Sequence, residues 1–315
     1  MNSIPSVNLK DFTSGDPVRK QKFVDEIGKA YEEIGFVALK GHFLDDNLVD
    51  DLYKEIKNFF ALPLETKHKY EIPEIAGQRG YVSFGKESAK GKKEGDLKEF
   101  WHFGQYVDDD PERAKEYPKN VIVEELPAFN EVGKKAYETL EKTAKYVLRA
   151  LALHLGLEET YFDHYIHNGN SILRPIHYPP ITQEPDNAVR AAAHGDINLI
   201  TLLMGAQGRG LQVQNHKGEW IDAIAEPDEL MINVGDMLSR HTNNKLKSTI
   251  HRVINPPREL WGTSRYSIPF FMHPISEMKL DVLDSCIDDN NPKQFEDITA
   301  GEFLDERLRE LGLKK

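Results

Sequence analysis

From Ser171 onward the hydrophobic period of this chain changes from helical to strand-like, and that switch restricts its fold more than any other feature. Eight short runs follow: Ile172 to Tyr178, Arg190 to His194, Leu199 to Met204, Leu211 to Gln214, Trp220 to Ala223, Glu229 to Val234, Lys247 to Val253 and Arg265 to Met272. Gly, Asn, Asp and Pro turns separate them. Eight short strands predict a closed double sheet, a double-stranded β-helix or jelly roll of the cupin kind.

The chain before Ser171 reads differently. Val7 to Phe12 and Gly35 to Leu39 are expected strands, with a helix between them from Arg19 to Ile34 carrying Phe23, Ile27, Ala30 and Ile34 at helical spacing. A second helix is expected over Asp46 to Phe60, stopped by Pro63, and a third over Ala128 to Leu155, with Gly156 as its C-cap. Gly77 to Gly104 reads as an irregular stretch studded with Arg79, Trp101 and Phe103, of the kind that forms a lid or binding wall. The tail, Asp297 to Leu313, reads as a helix with a Thr299–Glu302 capping box. The expected architecture is mainly β with flanking helices, the jelly roll packed on an N-terminal helical region. No linker interrupts it, so residues 1–125, 126–170, 171–275 and 276–315 are expected to form one compact unit.

A net charge of −12 argues against a general nucleic-acid or anionic-membrane surface, which needs clustered Lys and Arg. The basic run from Lys86 to Lys93 is interrupted and flanked by acids and reads as a solvated loop. A lone cysteine, Cys286, excludes an intrachain disulfide framework, and no stretch approaches the apolar length of a membrane span. A cytoplasmic monomer acting on a small molecule is expected.

The chemistry-bearing stretch is Ala193-His194-Gly195-Asp196. On a strand, positions i and i+2 share a face, so an imidazole and a carboxylate leave the backbone side by side. His251, in the run Ser248 to Val253, is the candidate third ligand from another strand. Two His and one carboxylate that leave one side of the ion open are the facial arrangement of non-heme Fe(II) oxygenases. No other His-x-Asp or His-x-Glu occurs among the 12 His.

Further motifs stand around these: Leu173 to Pro180 with Tyr178 before a proline pair, Gly210-Leu211-Gln212-Val213, Asn233-Val234-Gly235-Asp236 and Arg265-Tyr266-Ser267. Together they resemble, over nearly the whole chain, the 2-oxoglutarate and Fe(II) dependent dioxygenases of the isopenicillin N synthase-like family. The resemblance implies that residues 1–125 are the N-terminal non-heme dioxygenase region with a substrate-covering loop. It implies that His194, Asp196 and His251 bind iron, and that Arg265 and Ser267 anchor 2-oxoglutarate, with Tyr178 adding a phenolic donor. Many members carry Asn two residues before that Tyr; here the position is Ile176. O2 would be the co-oxidant, and the product hydroxylated, desaturated or cyclised.

One carboxylate leaves an Fe(II) site with net positive charge and open positions for a chelating 2-oxo acid and O2. The distal carboxylate of such a cosubstrate, held in an apolar barrel, needs a bidentate cation. Strand parity from Arg265 places Phe271 inward near the iron as a substrate wall, and Arg79 is a candidate partner for a substrate carboxylate. His177 and His241 fit no ligand spacing, Gly235-Asp236 reads as a turn, and Arg252 as a structural salt bridge. Two alternatives stay open: an Fe(II) oxidase of the same family that does not use 2-oxoglutarate, and a noncatalytic small-molecule-binding jelly roll.

Overall fold

Two aspartates start the N-terminal scaffold. Asp16 accepts a hydrogen bond from the Val18 amide at 2.8 Å and opens the helix Pro17–Glu33, whose first proline needs no amide partner. Asp45 accepts from the Leu48 amide at 2.9 Å and opens Asp46–Phe60. Both helices turn their apolar faces, Phe23 and Ile27 on the first, Leu52, Ile56 and Phe59 on the second, into one core with the long helix Pro127–His154. The computed structural model describes residues 3–75, 77–86, 96–182, 184, 189–205 and 210–310.

The strands are β1 (Ser6–Asn8), β2 (Phe36–Lys40), β3 (Gly80–Val82), β4 (Glu99–Gly104), β5 (Ile172–Leu173), β6 (Ile176–Tyr178), β7 (Ala191–His194), β8 (Ile200–Met204), β9 (Leu211–Gln214), β10 (Trp220–Asp222), β11 (Leu230–Val234), β12 (His251–Val253) and β13 (Arg265–Met272). The larger sheet runs β1-β2-β11-β8-β13-β5-β4-β3, with β6 bridging β13 and β4; the smaller runs β10-β9-β12-β7. Phe36, Ala38, Met231 and Leu203 of the larger sheet meet Leu211, Val213, Val253 and Ala191 of the smaller, giving the barrel a dry core of its own. The far face of the larger sheet buries Leu202, Ile232, Ile268 and Phe270 against the helices. This is a jelly roll with its helices on one side.

Several expected elements take another form. Val7 to Phe12 is the short strand β1 followed by one helical turn, Leu9–Phe12, because the Asn8 side chain accepts from the Lys10 amide and caps it. Ile172 to Tyr178 splits at Pro175, which lacks an amide proton for the ladder. Lys247 to Val253 is extended only from His251. Gly77 to Gly104 holds two strands at its described ends: β3 and β4 pair antiparallel, Tyr81 opposite Trp101, and β4 continues the barrel sheet through β5 and β6. The alternation of Phe100 and His102 with Trp101 and Phe103 was the available signal. Residues 87–95, including most of the basic run, lie outside the described residues. Gly235-Asp236 opens the helix Asp236–His241 instead of a strand-to-strand turn. The Thr299–Glu302 capping box holds, the Thr299 amide donating to Glu302 at 2.9 Å, and the helix runs Ala300–Glu310.

Candidate metal centre

Strands β7 and β12 pair antiparallel with His251 directly opposite His194, which brings the two ring centroids to 4.4 Å. Asp196 is not on the strand: β7 ends at His194, and the carboxylate stands in the turn that follows. That turn is fixed by the Asp236 amide, which donates to the Asp196 carbonyl at 2.7 Å. One ligand atom from each of His194, Asp196 and His251 lies within 4.8 Å of the others, and among the described residues no other three His, Cys, Asp or Glu converge this way.

The hydrogen bonds around the three leave the right atoms facing one another. His194 Nδ1 donates to the Ala192 carbonyl at 2.7 Å and His251 Nδ1 to the Thr249 carbonyl at 3.2 Å. A carbonyl only accepts, so each Nδ1 carries a proton, which leaves Nε2 as the nitrogen through which each ring can bind a metal. Asp196 Oδ2 accepts from Thr201 Oγ1 at 2.6 Å and Asn233 Nδ2 at 2.8 Å. Its other oxygen, Oδ1, lies 3.9 Å from His194 Nε2 and 3.7 Å from His251 Nε2, too far for a direct hydrogen bond to either.

Burial works against the charge of Asp196, but the two imidazoles and the Thr201 and Asn233 bonds outweigh it and hold the carboxyl below its ordinary value. Desolvation, then the charge of His251, lowers His194 from its ordinary value, and the open side of the ring limits how far. The set therefore offers one carboxylate and two imidazoles, with His194 neutral at neutral pH, donors that suit a divalent transition ion with nitrogen and oxygen ligands. The His194 side chain is 45% exposed while those of Asp196 and His251 are 6% and 10%. The cluster thus opens to its surroundings beside His194.

Farther along the barrel, β13 places Arg265 opposite Tyr178 and Ser267 opposite Ile176 on β6. The Arg265 guanidinium sits 5.1 Å from the Tyr178 ring centroid. Its Nε, Nη1 and Nη2 are all buried, and none has a hydrogen-bond partner among the described residues. Phe271, toward the other end of β13, pairs with Thr201, the residue that binds Asp196. One strand thus leads from the open cation to the metal-ligand turn.

Other sequence candidates have structural places. Arg79 is wholly buried over Gly104, donating to the Gln78 carbonyl at 2.7 Å and reaching Asn170 at 3.5 Å. Trp101 and Phe103 pack against Phe129 in the helical core. His177 pairs with Glu99, and His241 with the Asp281 carbonyl and Tyr161. Arg252 makes no salt bridge among the described residues; it lies 4.0 Å over the Trp220 ring and bonds Gln212, because Gln, not an acid, is its cross-strand neighbour. Cys286 is buried, which pushes its thiol up.

Sequence reasoning missed Thr201, Asn233, Arg174 and Arg190. Parity carries a signal for the first two, since Thr201 and Asn233 are cross-strand partners on β8 and β11 and so share a face. Arg174 and Arg190 lie just outside strands, where parity does not apply.

Comparison with known proteins agrees with this geometry. Residues 4–125 match the family described as non-haem dioxygenase in morphine synthesis N-terminal, and residues 169–274 match the 2OG-Fe(II) oxygenase superfamily. A 2-oxoglutarate-dependent dioxygenase of Dothideomycetidae sp. is 30% identical over 97% of this chain and 96% of its own. A solved 2OG-Fe(II) oxygenase family protein of Caulobacter crescentus is 42% identical with a TM-score of 0.90, covering 99% of this chain and 100% of that one. A full-length Neurospora crassa protein, solved in complex with alpha-KG and thymine, is 28% identical with a TM-score of 0.84, covering 97% and 96%.

Proposed function

Because the chain belongs to the 2OG-Fe(II) oxygenase superfamily, and so is a dioxygenase that uses Fe(II), 2-oxoglutarate and O2, we propose which of its residues do this and on what kind of substrate. When bound, the iron and its cosubstrate supply oxidative decarboxylation to succinate and CO2, coupled to hydroxylation, desaturation or cyclisation of a small organic molecule. His194, Asp196 and His251 hold the metal. Thr201 and Asn233 turn the carboxylate so that Oδ1 faces it, and the two backbone carbonyls fix the imidazole tautomers.

Arg265, with Ser267 beside it, binds the distal carboxylate of 2-oxoglutarate. The observation that carries this reading is the buried guanidinium without a partner: an unpaired buried charge is costly, and a dicarboxylic cosubstrate supplies its missing anion. Tyr178 contributes its ring, which already lies under that guanidinium. A carboxylate of the primary substrate held by Arg265 is the competing reading. Anaerobic titration of the Fe(II) protein with 2-oxoglutarate and with 2-oxobutyrate, which lacks the distal carboxylate, decides between them through the metal-to-ligand charge-transfer band. A clear preference for 2-oxoglutarate is expected; equal affinity for the two would favour the competing reading.

The substrate lies against Phe271 and Arg174. The Arg174 guanidinium stands 4.6 Å from the Phe100 centroid and 5.2 Å from that of Phe271. Its Nε donates at 2.5 Å to His102 Nε2, since His102 Nδ1 donates to the Gly77 carbonyl. A cation fixed in this way suits a small molecule with a carbonyl or carboxylate oxygen, and the thymine bound by the Neurospora protein is of that size and kind. Arg174→Met should raise KM for such a substrate while 2-oxoglutarate affinity stays the same. Arg79, sealed in the core, is read as structural. The chain is further placed with the isopenicillin N synthase-like enzymes and is read as a cytoplasmic monomer without nucleic-acid or membrane partners; no helix among the described residues is long and apolar enough to cross a membrane.

A further inference from the structure

Arg190 stands immediately before β7, four residues ahead of His194, and only 4% of its surface is exposed. Its guanidinium lies 5.6 Å from the Tyr178 ring centroid, and that of Arg265 lies 5.1 Å from the same ring. Among the described residues, the partner of Arg190 is the Thr263 carbonyl, reached by Nη2 at a long 3.4 Å, and Nε has none. No carboxylate among the described residues pairs with either arginine. Burial, then the charge of Arg265, pulls the Arg190 guanidinium below its ordinary value, with only the Tyr178 phenol opposing.

Two buried cations beside one ring repel each other, and removal from water makes each costly. A face of Tyr178 offsets only part of this. A single anion placed between them would offset the rest, since a carboxylate offers about four lone-pair sites and can accept from two guanidinium groups at once.

We propose that Arg190 is a second anchor for 2-oxoglutarate, forming with Arg265 a paired-guanidinium pocket for the distal carboxylate. This rests on the reading of Arg265 given above. Arg190 acts on cosubstrate affinity and takes no part in oxidation of the substrate. It also makes the protein without cosubstrate carry unrelieved repulsion in the barrel, so 2-oxoglutarate stabilises the fold by more than contact with one arginine would give.

The test compares wild type, Arg190→Met, Arg190→Lys and Arg265→Met, each anaerobic with Fe(II), titrated with 2-oxoglutarate and with 2-oxobutyrate, which lacks the distal carboxylate. Thermal midpoints are measured with and without each ligand. In Arg190→Met, 2-oxoglutarate affinity should fall roughly ten-fold or more, and 2-oxobutyrate affinity should not change. The midpoint without ligand should hold or rise, while the rise produced by 2-oxoglutarate shrinks. Arg190→Lys, which keeps the charge but loses the plane, should lie between wild type and Arg190→Met, and it carries the test alone if Arg190→Met does not fold. Equal losses for both ligands, together with a lower ligand-free midpoint, would make Arg190 structural and overturn the proposal. Wild-type affinity for 2-oxoglutarate in Arg190→Lys and Arg190→Met would also overturn it. If Arg265→Met binds 2-oxoglutarate as wild type does, the failure lies instead with the assignment of Arg265.

Discussion

Two clusters of buried charge share strands β6 and β13 and differ in one respect. On one side, Glu99 accepts from His177 Nδ1 at 2.7 Å, from Lys67 Nζ at 2.8 Å and from the Tyr81 hydroxyl, while His177 Nε2 meets Ser264 at 3.0 Å. His177 also stacks on Tyr266 at 4.8 Å. Its charges are matched within the chain. One residue along each strand, Tyr178 and Arg265 form the other cluster, whose guanidinium nitrogens have no partner among the described residues. A single step reverses the face of the sheet. Burial alone therefore does not identify a functional group here; an incomplete set of partners does.

Removing an acid from the matched cluster and removing one from the metal centre, whose partner is likewise supplied from outside the chain, should have opposite consequences. Asp196→Ala should abolish stoichiometric Fe(II) binding, because it deletes the one anionic ligand, and should lower stability by only about 1 to 3 kcal/mol, because Thr201 and Asn233 lose their acceptor but no buried cation is stranded. Metal titration beside a denaturant curve checks both halves. Retained metal stoichiometry would show that the imidazoles suffice, and the place of Asp196 among the ligands would fail.

Glu99→Ala should act in reverse, costing about 3 to 5 kcal/mol of stability because Lys67 is left buried without its anion, with metal binding per folded molecule preserved. The effect has a pH signature. Burial raises the Glu99 carboxyl, but the bonds from His177, Lys67 and Tyr81 outweigh it and hold the group below its ordinary value. A depressed carboxylate contributes stability above its unfolded value, about 4.3, and loses it as pH falls through the folded value. The gap between wild type and Glu99→Ala should therefore be full at neutral pH and narrow only below about 4.3. A gap constant to lower pH would remove Glu99 from the account.

Arg265→Lys keeps the charge and loses the fork, so 2-oxoglutarate affinity should fall by about 1 to 3 kcal/mol, with iron binding unchanged. Succinate formation against cosubstrate concentration, at saturating iron, measures it. Equal affinity in both proteins would mean that this cation waits for a different anion.

What the sequence made legible follows the same division. The convergence of His194, Asp196 and His251 could be read because its chemistry is local: a spacing, a strand and a residue type. The Asp46–Phe60 helix and the span of β13 could be read for the same reason, a local apolar period that runs their full length. Asp196 was placed on a strand by parity, yet it is held by a turn that the Asp236 amide fixes across the chain. Within Gly77 to Gly104, β3 and β4 are hard to read because glycines and lysines beside them mask the alternation of β4. Arg190 was illegible, since its partner, Tyr178, is set by tertiary packing alone.

The smallest effect discriminates most finely between the clusters. Tyr178 entered as a hydroxyl donor to the cosubstrate, in a chain where Ile176 replaces the asparagine common nearby. The structure puts guanidinium groups at 5.1 and 5.6 Å from its ring centroid, so a role for the ring is the alternative to a hydroxyl donor. If the ring matters, Tyr178→Phe retains nearly everything, and 2-oxoglutarate affinity should fall by no more than about 1 kcal/mol. Tyr178→Leu removes the π face from beneath two cations and should cost more in cosubstrate affinity. It should also lower the midpoint of the ligand-free protein, because the repulsion between Arg190 and Arg265 loses its one internal offset. Titration of 2-oxoglutarate into the three Fe(II) proteins without oxygen gives the order. A large loss in Tyr178→Phe equal to that in Tyr178→Leu would return the role to the hydroxyl, and Tyr178 would then be a donor to the carboxylate in its own right.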